Sequence, residues 1–192
     1  MKHALVAAAI LLSSPGIPRD QAERYAGAIE RAAARAKVPP VLLVAIIERE
    51  SHWSLRLVSR TGDVGLGQIH LANYAACRPS LDTPECEAVK ARLMVGTENI
   101  AVMGGILRAN RKLCGSRLDR LLAGYEGRRC KPGVRTRGTL ARWRELERQA
   151  KRGRGAGLAG MIRAGHRTPS RPDAMRAIAR ESGARLTKGE TP

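Results

Sequence analysis

ERESHWSLRLVSRTGDVGLGQIH, Glu48 to His70, decides the reading of this chain. It follows VLLVAII (Val41–Ile47), a run apolar almost all round, which places a helix in the centre of a core. The helix is expected to end near His52. Gly62, Gly65 and Gly67 then mark turns rather than regular structure. Positions two apart on a helix point about 200° from each other, so Glu48 and Glu50 cannot face one cleft. Glu50 is the better candidate for chemistry: it lies at the helix end, against the glycine turn, where a ligand can approach. Glu48, further in, reads as surface charge.

Working outward, Arg19 to Lys37 puts Ala22, Tyr25, Ala26, Ile29, Ala33 and Ala36 at three- and four-residue steps, an amphipathic helix. Val38-Pro39-Pro40 breaks it and starts the next. His70 to Ala76 reads as a short helix. Glu85 to Lys112 reads as one long helix, with Val89, Leu93, Ile100, Met103, Ile106, Leu107 and Leu113 on its apolar side. Gly104-Gly105 in its middle would cost about 1 kcal/mol each against alanine, so close helix packing is expected there. Leu118–Tyr125 is a further helix, Gly127–Gly138 a basic loop, and Thr139–Ala150 another helix. From Lys151 the chain turns linker-like and positive (KRGRGAGLAG, HRTPSRP), with one possible helix at Asp173–Ser182. There is no internal repeat and no strand pattern beyond a few residues. The fold class is therefore all-α.

Phe is absent and aromatics are 3% of the 192 residues, so Leu, Ile, Val, Ala and Met must build the core. The net charge of +18 is lopsided: residues 106–192 carry 23 Lys and Arg against seven Asp and Glu. Such asymmetry calls for a polyanionic partner. Nucleic acid is the less favoured one, because basic residues are not interleaved with aromatics and no nucleic-acid motif is present.

MKHALVAAAILLSSPG opens with Lys2 and His3 and continues with nine apolar residues, Ala4–Leu12. That run is too short to span a bilayer and reads as a secretory leader over residues 1–16. The alternative is a short buried N-terminal segment. Four cysteines beside an export signal imply two disulfides. Local pairing, Cys77–Cys86 and Cys114–Cys130, is expected because each closes a short loop containing Pro or Gly. Zinc is disfavoured: there is no C-x-x-C, and no His stands at ligand spacing from a Cys.

Several segments, in order, resemble the lytic transglycosylase SLT domain, a lysozyme-like helical family that acts on peptidoglycan. AIIERES (Ala45–Ser51) resembles the motif whose closing Glu-Ser carries the catalytic acid. SRTGDVGLGQI (Ser59–Ile69) is similar to Ser-x-x-Gly-x-x-Gly-Leu-Met-Gln-Ile, with Gly67 in place of Met. ENIAVMGGIL (Glu98–Leu107) and LAGYEG (Leu122–Gly127) resemble the later motifs, with Glu126 where Asn is usual. No clear final-motif Tyr follows, and Trp143 stands near that place. The resemblance covers roughly residues 20–148 and implies a catalytic domain over 17–150, followed by a basic tail over 151–192.

The resemblance implies Glu50 as the acid, with Ser51, Gln68 and Tyr125 at the substrate. The apolar helix before Glu50 delivers it into a low-dielectric wall, which keeps a carboxyl protonated. Ordinary glycosidases need a second carboxylate. One suffices here if the 6-hydroxyl of N-acetylmuramic acid closes on C1 to give a 1,6-anhydro end, and no cofactor or metal is then required. Asp63, in the glycine-rich turn, reads as structural, and His52 as helix-end surface. The expected partner is the peptidoglycan strand, bound by a monomeric exported protein. The basic tail would meet an anionic wall polymer or membrane surface. A hydrolytic muramidase resembling goose-type lysozyme is the alternative within chemistry, with Asp63 or Glu126 as second carboxylate. An inactive core serving a basic binding protein is the alternative outside it.

Overall fold

The structure, a computed structural model, describes residues 2–155. Seven α-helices carry them: α1 Lys2–Ser13, α2 Arg19–Ala36, α3 Pro40–Ser51, α4 Pro84–Leu93, α5 Gly96–Cys114, α6 Leu118–Tyr125 and α7 Val134–Gly155. The tail beyond residue 155, including the expected helix at Asp173–Ser182, lies outside the described residues.

α3 is the centre, as its sequence requires. Val41 to Ile47 are all buried, with α1 and α2 packed on it. Pro40 occupies its first turn, where a missing N–H costs nothing. The helix stops because His52 and Trp53 take left-handed φ of 49° and 65°, and the His52 N–H closes the last turn on Glu48 O.

α2 packs against α5 through small residues. A Cβ on Gly104 would lie 2.8 Å from Ala32 Cβ, so only glycine lets these axes come so close. Gly104 thus has the packing reason expected of it, whereas Gly105 meets nothing within 4 Å.

Four expectations change. The glycine segment is not all turn: β1 Asp63–Val64 and β2 Ile69–His70 pair antiparallel across it, Asp63 opposite His70 and Val64 opposite Ile69. His70–Ala76 is not a helix; two 3-10 turns, Leu71–Asn73 and Ala75–Cys77, follow β2. The long helix from Glu85 is two helices, broken at Met94-Val95, and Leu113 at the far end is 80% exposed. Finally, α7 begins at Val134 inside the expected basic loop and runs past residue 150.

The N-terminal segment folds as α1 against α2 and α3, with Val6 to Ile10 buried and Trp53 Nε1 donating to Ser13 Oγ at 2.9 Å. Both disulfides have the expected partners. Cys77–Cys86 joins the second 3-10 turn to α4, and Cys114–Cys130 joins the end of α5 to the segment after α6.

Candidate active site

Glu50 stands on the last turn of α3 with its side chain 13% exposed. It lines a cavity of about 810 Å³ with Gln68, His70, Ile106, Asn110, Tyr125, Glu126 and Arg135. Burial pushes the Glu50 carboxyl above its ordinary value. The Arg135 guanidinium, 2.5 Å from Glu50 Oε2, opposes that shift, and the negative charge of Glu126 adds to it.

The floor of the cavity is the β1–β2 turn, anchored from three sides. From below, buried Ser51 donates its hydroxyl to Ile47 O and to Leu66 O at 2.9 Å. The side chain is only 3% exposed, and its hydroxyl fastens the turn to α3. From α5, fully buried Asn99 accepts from Gly67 N at 2.8 Å and donates to Val64 O and Leu93 O. One amide thereby satisfies the turn and the broken end of α4 together. From α6, the Tyr125 hydroxyl donates to Gly67 O at 2.7 Å. A Cβ on Gly67 would lie 2.7 Å from that hydroxyl and 2.5 Å from Met103 Sδ, so no larger residue fits there.

Tyr125 also faces Glu50: burial, then the Glu50 charge, raises its phenol well above the usual value, so it stays a neutral donor. Gln68 lines the cavity from a left-handed φ of 47°, and its amide nitrogen donates to Gly65 O and Leu57 O. Among the described residues two buried polar atoms of the lining side chains lack partners, Asn110 Nδ2 and Glu126 Oε1.

Glu48 and Glu50 do diverge, but Glu48 is not plain surface. Arg142 of α7 grips it with two bonds of 2.7 Å. Asp63 is structural: it accepts from Ser59 and Thr61 at 2.7 Å and meets His70 at 3.0 Å. Burial raises its carboxyl, but the Ser59 and Thr61 hydroxyls and His70 outweigh this and hold it below the usual range. His52 is an exposed helix end. Trp143 does not face the Glu50 cavity; it lines a separate one with Arg117, Leu140 and Arg144. The cavity wall from α7 is Arg135 instead, a residue that local sequence pattern did not single out.

The family model described as transglycosylase SLT domain matches residues 27–129, more than half of the chain. That span holds Glu50, the glycine turn, Asn99, Tyr125 and Glu126, and stops short of α7. Searches of curated proteins and of solved structures return no match. With helices in this arrangement and a matched span that encloses the cavity floor, the chain belongs to the transglycosylase SLT domain family, whose members act on peptidoglycan.

Proposed function

We propose that the protein is a lytic transglycosylase that cleaves the β-1,4 bond between N-acetylmuramic acid and N-acetylglucosamine without water, using Glu50 as acid and then as base. The observation that carries this reading is the buried carboxyl of Glu50 at the cavity, with its proton affinity raised. A carboxyl whose proton affinity is raised is a candidate to give that proton to the leaving glycosidic oxygen as the C1–O bond breaks. The 6-hydroxyl of the same sugar then attacks C1 and returns its proton to Glu50. The product carries a 1,6-anhydro ring, and Glu50 is restored. Tyr125, fixed on Gly67 O beside Glu50, keeps the turn and the carboxyl in register. Gln68 and Asn110 offer polar contacts to the glycan from either side.

Asp63 is committed to Ser59, Thr61 and His70, which leaves it poorly disposed to activate water. A second reading, hydrolysis, is favoured by one observation: Glu126 is a further carboxylate on the cavity, with Oε1 unpartnered among the described residues. Export belongs to the proposal, since peptidoglycan lies outside the cytoplasmic membrane and two disulfides suit an oxidising compartment. Residues 1–16 serve as leader in this reading, and no α1 residue lines the cavity.

Glu50→Gln tests the assignment. The variant should fold normally and lose glycan cleavage by at least about a hundredfold, the scale of general acid catalysis. Full activity in that variant would remove Glu50 from the mechanism.

A further inference from the structure

The pair Arg135–Glu50 poses a chemical problem. A general acid must carry a proton, yet a guanidinium 2.5 Å from Glu50 Oε2 favours the ionised form. Arg135 also occupies one of the two carboxyl oxygens of Glu50. Something must draw it away when substrate enters.

The site contains a receiver. Glu126, at the C-terminal end of α6, lines the same cavity as Glu50 and Arg135. Its Oε2 is held at 2.6 Å by the Thr136 hydroxyl, one residue along α7 from Arg135. Its Oε1 is buried with no partner among the described residues. A buried, unpartnered carboxylate oxygen costs free energy and is relieved by a cationic donor. Glu126 and Arg135 already feel each other's charge, and so do Glu126 and Glu50. Arg135 is 46% exposed and has room to turn.

We propose that Arg135 is a positioning residue shared between two carboxylates: it clasps Glu50 in the empty cleft and passes to Glu126 when the glycan takes its place on Glu50. Deprived of its cation, Glu50 then holds its proton more firmly, and the acid is armed only in the presence of substrate. The other charged or titratable groups that line this cavity with Glu50 are Arg49 on its own helix, Asp63 and His70 on the β1–β2 pair, and Tyr125 on α6. Tyr125 is neutral and committed to Gly67 O, Asp63 and His70 hold each other at 3.0 Å, and Arg49 acts on the Glu50 charge less than Arg135 does.

This inference rests on Glu50 being the acid, and the test separates the two. Soluble glycan oligomers are cleaved across a range of pH by the parent protein, Glu50→Gln, Arg135→Gln, Arg135→Lys and Glu126→Gln, each checked for folding by thermal melting. Activity falls on the alkaline side as Glu50 loses its proton. Arg135→Gln removes the charge that eases that loss, so the alkaline limb of kcat/KM should move up by about one pH unit. Glu126→Gln removes a like charge and the receiver, so its limb should move down, with the limb of kcat, which reports the bound complex, moving further than that of kcat/KM. Arg135→Lys should restore the parent profile. Limbs that stay put, or move in the same direction for Arg135→Gln and Glu126→Gln, would overturn the handover while an inactive Glu50→Gln leaves the acid assignment standing. A KM rise in Arg135→Gln with no movement of the limb would make Arg135 a plain substrate contact. An active Glu50→Gln would remove the reading beneath both.

Discussion

Two glutamates of one helix meet two arginines of another, and the pairs differ in what surrounds them. Glu48 and Arg142 are 20% and 38% exposed and bonded twice, a geometry that ties α3 to α7. Their partial exposure screens the charge, so Glu48→Gln should cost about 1 kcal/mol of stability or less and leave turnover within about twofold. Urea unfolding beside an activity assay checks both. Glu50 lies deeper, with its folded-state proton affinity raised. Stability from its bound proton is present below the ordinary carboxylate range and is lost as pH rises through the raised value. Glu50→Gln lacks that loss. Its Tm relative to the parent should therefore climb as pH rises from about 4 towards neutrality, and a constant difference across that range would deny that burial controls Glu50. The two roles were partly legible, because side chains two apart on a helix must diverge. Arg135 was not, since no spacing in the sequence says that residue 135 returns to residue 50.

At the scale of elements, the break between α4 and α5 illustrates what periodicity misses. Apolar residues continue in helical spacing through Met94-Val95, yet the helix stops, because Asn99 takes Leu93 O and Gly67 N for its own amide. A polar residue inside an apolar pattern was the available signal. α3, α6 and the two disulfides were legible because their signals are local: a Pro start, an apolar run, short Cys spacings. α7 was misread at its start because Pro132, Gly133 and Gly138 look like a loop. In the structure Gly138 lies inside the helix, where an added Cβ would come within 3.3 Å of the Arg49 Nη1 tip. The Cys114–Cys130 bridge brackets Glu126, and Cys130 lies just before that start. Replacing both cysteines by Ala should cost on the order of 3 kcal/mol, given 16 residues of separation. It should also lower turnover more than loss of Cys77–Cys86, which is remote from Arg135 in the chain. Equal losses of turnover from the two pairs would show that the bridge does not position α7.

Across the whole molecule the charge is less a property of the tail than composition suggests. Of the 23 Lys and Arg after residue 105, eight lie in α7, and seven follow residue 155. A chain ending at Gly155 should keep its turnover on small soluble glycans. Its association with intact sacculi at low ionic strength should weaken only in part and converge with the full chain at high salt, as long-range attraction is screened. Sacculus binding unchanged at low salt would remove the tail from surface attachment. The central claim is the chemistry at Glu50, where one carboxyl serves twice and no water is consumed. Mass spectrometry of the fragments released from purified sacculi reads this directly. The account predicts muramic ends lighter by one water than reducing ends, formed by the parent protein and absent with Glu50→Gln. Reducing ends of full hydrated mass, released at the parent's rate, would contradict it and make the protein a hydrolase that uses Glu126 to bring in water.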